Sequence, residues 1–243
     1  MSMNTLSKLS TDKPLLVLDF DGTVALGDGP IYAYAQAVAK YLDSSDRDRL
    51  LATLDEFLAG GPESASELVF KDGYDAVAKL SEHAVNRDQR NAAYFARGEV
   101  GVHAPEGLTD FLAEMGQHVH RLLFTNAPLT GVAESLDSLG LTGLIDSIVP
   151  NAGKPDGFAS KLPELLAGRT PERLLSVGDV WLNDIKHPLE AGCATAFIDR
   201  FGLNSGPAHL SAPAIEDLYT GMADWARDPI AFHAAHSVTC STV

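Results

Sequence analysis

The stretch that decides the fold is Leu15-Leu16-Val17-Leu18-Asp19-Phe20-Asp21-Gly22-Thr23, where a short apolar run ends in two acids, a glycine and a hydroxyl. The apolar run is typical of a buried strand. The acids then lie at its carboxyl end, the edge where open α/β sheets bind ligands. Asp19 and Asp21 are two residues apart and share a face in an extended segment, so both can reach one ligand. An Asx-type turn explains the pattern equally well when it is taken alone.

Three later segments repeat this pattern of an apolar run followed by polar groups. They are residues 121–128, which contain Thr125-Asn126, then Gly153-Lys154-Pro155 after Ile148-Val149, and residues 174–185, which contain Gly178-Asp179 and Asp184. Each segment also has an ordinary structural explanation. The first can be a helix cap, the second a solvated surface lysine, and the third an acid near the start of a helix. In a parallel sheet, however, the four strand ends would meet at one edge and bring these side chains together.

The order of the segments predicts an α/β fold, because strands that alternate with helices form parallel βαβ units. Between the first motif and the second strand, apolar residues recur at helical spacing and no convincing strand is present, which predicts an all-helical insertion. We expect the following elements after the insertion: helices over 105–115, 129–139, 158–166 and 183–191, a strand over 119–124, a last helix over 214–225, and a frayed tail over 233–243.

Composition and charge limit the class of partner. The chain has 243 residues, of which 45% are apolar, so it is long enough for one core domain and an insertion. A net charge of −15 without a run of Lys or Arg argues against nucleic acid and anionic membranes as partners. No apolar window approaches a membrane span and the first residues show no signal pattern, so we expect a cytoplasmic protein. Cys193 and Cys240 have neither metal-ligand nor redox spacing.

The ordered set of motifs resembles that of the haloacid dehalogenase-like (HAD) hydrolase superfamily over residues 13–200. The family's Asp-x-Asp-Gly-Thr motif stands here at 19–23, its Ser/Thr motif at Thr125, its lysine at Lys154, and its Gly-Asp-x-x-x-Asn-Asp motif at 178–184. The similarity is to the helical-cap branch, which contains relatives of phosphoglycolate phosphatase and β-phosphoglucomutase.

The resemblance implies a domain organisation. We expect a three-layer core with a Rossmann-like parallel sheet from residues 1–27 and 99–243, and an inserted all-helical cap over residues 28–98. Cap residues that face the site would then set specificity. We interpret Arg49, Arg87, Arg90 and Arg97 as exposed helix charges rather than anion ligands.

The resemblance also implies roles for the two acids of the first motif and for a metal. Asp19 would attack phosphorus and form an aspartyl-phosphate, and Asp21 would act as general acid and then as general base. Oxygen ligands and a phosphate partner suit Mg²⁺. The metal set would be Asp19, the Asp21 carbonyl, Asp179 and Asp184, the last through a metal-bound water or through Lys154.

Four positions would bind the transferring phosphoryl group. Thr125, the Asn126 amide and Lys154 would spread the charge on its oxygens, which is the dominant contribution in phosphoryl transfer. Gly22 would allow the sharp turn that follows the two acids.

These roles together predict a Mg²⁺-dependent phosphoric monoester hydrolase that acts on a small phosphorylated metabolite. A phosphomutase uses the same pair of acids and stays an alternative. A dehalogenase normally lacks the second acid, so Asp21 argues against it. A catalytically idle binding protein with this fold is the remaining alternative, although no motif residue is missing.

Overall fold

The computed structural model describes residues 12–60, 70–98 and 101–238. Within those limits the chain forms two compact units. The sheet unit contains residues 12–26, 104–200 and 204–238. The helical unit contains residues 27–60, 70–98, 101–103 and 201–203. Within the described residues, no helix combines the length and the apolar character that a bilayer span requires.

A six-stranded parallel sheet in the order β3-β2-β1-β4-β5-β6 forms the centre of the sheet unit. The strands are Leu15–Leu18 (β1), His120–Phe124 (β2), Ser147–Val149 (β3), Leu174–Gly178 (β4), Ala194–Ile198 (β5) and Leu210–Ala212 (β6). Both β1 and β4 are buried along their whole length, as expected for parallel strands that are covered on both faces. The predicted Rossmann-like α/β fold is confirmed.

Helices flank this sheet and also build the helical unit. Numbered along the chain, they are Gly29–Ala39 (α1), Ser44–Gly60 (α2), Gly73–Ser81 (α3), Arg87–Ala96 (α4), Leu108–His118 (α5), Leu129–Ser138 (α6), Asp156–Leu166 (α7), Trp181–Asp184 (α8), Lys186–Glu190 (α9), Tyr219–Arg227 (α10) and Pro229–Ala235 (α11). On one side of the sheet, Phe158 and Leu165 of α7 share a buried cluster with Leu15 and Val17 of β1. This packing holds the loop before α7 close to the end of β1.

The helix predicted over 183–191 is wrong as a single element. The chain instead forms α8 and α9, and the break lies at Ile185, whose ψ of −47° is helical but whose φ of −110° is not. Pro188 explains the break, because proline has no N–H and its ring crowds the carbonyl four residues earlier, that of Asp184.

The helix predicted over 214–225 is found as a 3-10 helix at Ile215–Leu218 that continues as α10. It is not the last helix, because α11 follows it, and the prediction for the tail is wrong in part. The predicted frayed tail contains the end of α11, which is stabilised by Asp228, since its side chain accepts a hydrogen bond of 3.0 Å from the Ala231 amide. Phe232 of α11 is buried. Residues 239–243 of the predicted tail, with Cys240, lie outside the described residues.

The helical unit has its own buried core. Tyr34 and Val38 of α1 pack with Leu54 and Phe57 of α2 and with Val77 of α3. The helical character predicted for the insertion is therefore found in its described residues.

Arg97 differs from the expectation of an exposed helix charge, because it is only 4% exposed. Its Nε donates a hydrogen bond of 2.9 Å to the Tyr74 hydroxyl. Its guanidinium carbon also lies 3.9 Å from the ring centroid of Tyr94, within the range of a cation–π interaction. Arg97 therefore links α3 and α4 within the helical unit.

We expect Trp225 of α10 to be one of the side chains on which the stability of the sheet unit depends most. It is fully buried, and its Nε1–H donates a hydrogen bond of 2.9 Å to the Glu172 carbonyl. Trp225→Phe removes that donor and should lower the free energy of unfolding by about 1–2 kcal/mol. Trp225→Ala also leaves a cavity and should cost about 3–5 kcal/mol. Urea unfolding measures both, and equal losses would contradict the assignment.

Candidate functional site

The turn after β1 presents the first two acids. Asp19 continues the line of the strand, because its amide donates a hydrogen bond of 3.0 Å to the Val177 carbonyl of β4. Asp21 lies in the turn that follows and is half-buried. The turn is closed by the Phe20 carbonyl, which accepts from the amides of residues 23, 24 and 25 at 3.0–3.2 Å. The backbone around both acids is therefore held by main-chain hydrogen bonds.

Two glycines allow the acids of the last motif to approach. Gly22 has a φ of +73°, and a Cβ added to it would lie 2.1 Å from Oδ2 of Asp179. A Cβ added to Gly178 would lie 2.3 Å from Cγ of Asp184. Since neither glycine has space for a side chain, each acid packs directly against backbone.

Lys154 joins two of the acids in a buried ion triad. Its Nζ lies 2.7 Å from Oδ1 of Asp19 and 2.6 Å from Oδ1 of Asp184, and the lysine side chain is only 2% exposed. Burial lowers the pKa of Lys154, but the carboxylates of Asp184 and Asp19 outweigh burial and hold that pKa above its ordinary value. Burial raises the pKa of Asp184, against the opposing effect of Lys154. The lysine is therefore charged when the site is folded.

Asn126 holds the loop that carries this lysine. Its Oδ1 accepts a hydrogen bond of 2.7 Å from the Lys154 amide, and its Nδ2 donates one of 3.2 Å to the Lys154 carbonyl. The neighbouring Thr125 is buried, and its Oγ1 accepts a hydrogen bond of 2.9 Å from the Ala127 amide. Sequence reasoning assigned only the main-chain amide of Asn126 to the site and missed this function of its side chain. Many residues lie at the end of a strand, so no signal in the sequence distinguishes the Asn126 side chain as the one that binds the lysine loop.

A group of carboxylates at this edge has the composition of a Mg²⁺ site. Asp19, Asp179 and Asp184 each offer one carboxylate oxygen, and these oxygens lie within 4.8 Å of one another. Carboxylate oxygens are ligands that Mg²⁺ prefers, so these residues fit that ion. Within the group, Asp184 also accepts a hydrogen bond of 3.1 Å from the Val180 amide through Oδ2. Both carboxylate oxygens of Asp184 already have protein partners. Asp184 is therefore better suited to holding Lys154 in place than to coordinating Mg²⁺ directly.

The predicted residues are therefore brought together to different degrees. Direct contacts join Asp19, Lys154 and Asp184, and join Lys154 with Asn126. Asp179 lies against Gly22 and close to the other acids. Thr125 directly follows the last residue of β2, and Asp21 lies in the turn after β1.

We expect Gly22→Ala to destabilise the sheet unit more than Gly143→Ala. Both residues have a positive φ, +73° and +80° respectively, but an added Cβ at Gly143 meets nothing within 4 Å. The control should therefore cost about 1 kcal/mol for the backbone alone. Gly22→Ala must also displace Asp179, for a total of about 2–4 kcal/mol. Chemical unfolding of both variants measures the difference, and equal costs would show that Asp179 moves away freely.

Comparison with known proteins gives structural matches only. No protein-family model matches the sequence, and no curated protein matches it either. The fold is similar to that of a predicted phosphoglycolate phosphatase from Haemophilus somnus, at 18% identity and a TM-score of 0.57, covering 87% of this chain and 98% of the other. It is also similar to the HAD hydrolase YfnB from Bacillus subtilis bound to magnesium, at 14% identity and a TM-score of 0.53, covering 86% and 97%.

A third similar structure belongs to an L-2-haloacid dehalogenase. The enzyme is from Xanthobacter autotrophicus, with 15% identity, a TM-score of 0.50, and coverage of 87% of this chain and 98% of the other. The three likenesses agree on one architecture and differ in chemistry. The chain therefore has the fold of the haloacid dehalogenase-like hydrolases, as its motifs predict.

Proposed function

We propose that this protein is a Mg²⁺-dependent phosphatase, a phosphoric monoester hydrolase that acts on a small phosphorylated metabolite. The observation that carries the proposal is the buried contact of Lys154 with Asp19 at 2.7 Å, at an edge that also holds Asp179. A carboxylate fixed beside a lysine and further acids is suited to attack on a phosphoryl group. The similar fold of a predicted phosphoglycolate phosphatase is consistent with this chemistry.

In the proposed reaction Asp19 is the nucleophile. One of its carboxylate oxygens forms a bond to phosphorus while the bond from phosphorus to the substrate oxygen breaks, and Asp21 gives its proton to that leaving oxygen. In the second step Asp21 takes a proton from water. The water oxygen bonds to phosphorus, and the bond between phosphorus and Asp19 breaks. Inorganic phosphate and the free carboxylate of Asp19 result.

Other residues of this edge would bind and orient the phosphoryl group. Lys154, the Thr125 hydroxyl and the Asn126 main-chain amide would neutralise its equatorial oxygens. Gly22 would allow the sharp turn after the two acids and leave room for Asp179 beside it. Asp19, the Asp21 carbonyl and Asp179 would hold the metal, and Asp184 would act through Lys154. When bound, Mg²⁺ supplies charge neutralisation at the phosphoryl oxygens.

The domain division is part of this proposal. We propose a catalytic core of residues 1–27 and 99–243 and a cap of residues 28–98 that selects the substrate. The two compact units support such a division, although residues 27, 101–103 and 201–203 belong to the helical unit.

Dehalogenation is the alternative that the structural matches raise, since a dehalogenase has a similar fold. Asp21 supports the phosphatase, because an alkoxide leaving group needs a proton and a halide does not. Release of chloride from 2-chloropropionate, measured beside release of phosphate from a panel that includes phosphoglycolate, distinguishes the two. Chloride release without phosphate release would overturn the proposal. A phosphomutase would instead return an isomeric phosphate ester, and an idle binding protein would release neither product.

The two acids should respond differently to substitution by Asn. Asp19→Asn should lose turnover of every phosphate ester, because no aspartyl-phosphate can form. Asp21→Asn should impair alkyl phosphates much more than p-nitrophenyl phosphate, because p-nitrophenolate leaves without help from an acid. Steady-state kinetics with both substrates measures this contrast. Equal losses on the two substrates in Asp21→Asn would show that Asp21 is not the general acid.

Activity should also depend on a hard divalent cation. The candidate metal ligands are carboxylate oxygens, which Mg²⁺ prefers. EDTA should therefore abolish phosphate release, and Mg²⁺ should restore it, whereas Zn²⁺ alone should not. Asp179→Asn should raise the Mg²⁺ concentration needed for half-maximal activity. Full activity in the presence of EDTA would exclude the metal site as proposed.

A further inference from the structure

Ser176 is a buried polar residue within β4, the strand that leads to Gly178 and Asp179. It is 1% exposed and lies opposite Val17 of β1 and Thr195 of β5 in the sheet register. A hydroxyl buried at the centre of a sheet costs free energy unless it has a hydrogen-bond partner. The Ser176 hydroxyl donates a short hydrogen bond of 2.6 Å to the main-chain carbonyl of Asp184.

Pro188 explains why that carbonyl needs a donor from outside its helix. In a continuous α-helix the Asp184 carbonyl would accept a hydrogen bond from the amide of residue 188. Proline has no amide hydrogen, and its ring pushes the carbonyl four residues earlier away from the helix axis. The helix accordingly breaks at Ile185 and begins again at Lys186, which places Pro188 in the first turn of α9, where proline is tolerated. Ser176 therefore supplies a hydrogen bond that Pro188 cannot.

Asp184, which Ser176 holds in this way, in turn contacts the groups proposed to react. The Asp184 side chain accepts from the Val180 amide at 3.1 Å and from Nζ of Lys154 at 2.6 Å. The same Nζ lies 2.7 Å from Asp19. Asp184 thus connects Ser176, which binds its main-chain carbonyl, to Lys154, which binds its carboxylate and contacts Asp19.

We propose that Ser176 is a positioning residue: its hydroxyl replaces the helical donor lost at Pro188 and so fixes Asp184, which in turn orients Lys154 and Asp19. The proposal rests on the proposed phosphatase function, in which Asp19 is the nucleophile. Ser176 itself would touch neither substrate nor metal. Its effect should therefore fall on kcat, through the geometry of Asp19 and Lys154, and much less on KM.

Four variants separate positioning from packing. Ser176→Ala removes the donor, Ser176→Thr keeps a hydroxyl, and Ser176→Ala/Pro188→Ala gives residue 188 an amide that can donate to the Asp184 carbonyl. Ser81→Ala is the matched control, because Ser81 is also buried and donates a hydrogen bond of 2.7 Å to a main-chain carbonyl, that of Val77 in α3.

We expect Ser176→Ala to lower kcat by about 10-fold to 100-fold, the size of effect that a small misplacement of reacting groups produces. Ser176→Thr and the double variant should recover most of that loss, while Ser81→Ala should leave kcat close to that of the unaltered protein. Recovery in the double variant is diagnostic, because a packing defect at position 176 is not repaired by an amide at position 188. Two outcomes would overturn the proposal. One is an unchanged kcat in Ser176→Ala, and the other is that neither Ser176→Thr nor the double variant recovers kcat.

Amide hydrogen exchange tests the same inference without any enzymatic activity. Ser176→Ala should speed exchange in residues 180–186, with recovery in the double variant and no change in Ser81→Ala. If the unaltered protein releases no phosphate, the proposed function fails, and the exchange measurement alone decides whether Ser176 holds Asp184. Unchanged exchange over 180–186 in Ser176→Ala would overturn the inference by itself.

Discussion

The contact of one buried ammonium group with two carboxylates is the interaction on which the rest of the site depends. Burial of an isolated charge costs several kcal/mol, so Lys154 is tolerated only because Asp19 and Asp184 both lie within 2.7 Å of its Nζ. That requirement links the loop before α7 to the end of β1 and to α8. Asn126 completes the arrangement, because it binds the main chain of Lys154 on both sides. Removal of either acid would leave the buried ammonium group with a single carboxylate, and removal of the Asn126 side chain would take away both of its hydrogen bonds to the main chain of Lys154.

Close approach of backbone is the second constraint. Carboxylates from neighbouring strand ends can lie within 4.8 Å of one another only where side chains are absent between them. Gly22 and Gly178 meet this condition, and each gives space to one acid of the last motif. The glycines of the two motifs are therefore as necessary to the geometry as the acids.

Periodicity and motif order were sufficient to predict the parallel sheet and the helical insertion, because burial on both faces of a strand leaves a clear apolar run. They were insufficient where a single residue changes a helix locally. The interval 183–191 has helical character throughout, yet Pro188 divides it at Ile185. Arg97 resembles any other arginine on a polar helix, and only its neighbours Tyr74 and Tyr94 show that it is buried. The break follows from a residue inside the interval, and the periodicity of apolar residues does not register it. The burial of Arg97 depends in part on Tyr74, which is 23 residues away, so no local pattern contains it.

The sequence by itself determined the types of residue at the carboxyl ends of four strands, and with them the acids, the lysine and the small polar groups of the candidate site. The tertiary structure decided which of these groups touch. It paired Lys154 with Asp19 and Asp184, assigned the Asn126 side chain to the lysine loop, and placed Ser176 against the Asp184 carbonyl. The physical reason is that strand order and register bring together residues far apart in the chain, whereas a hydrogen bond forms only within about 3 Å and in a favourable direction.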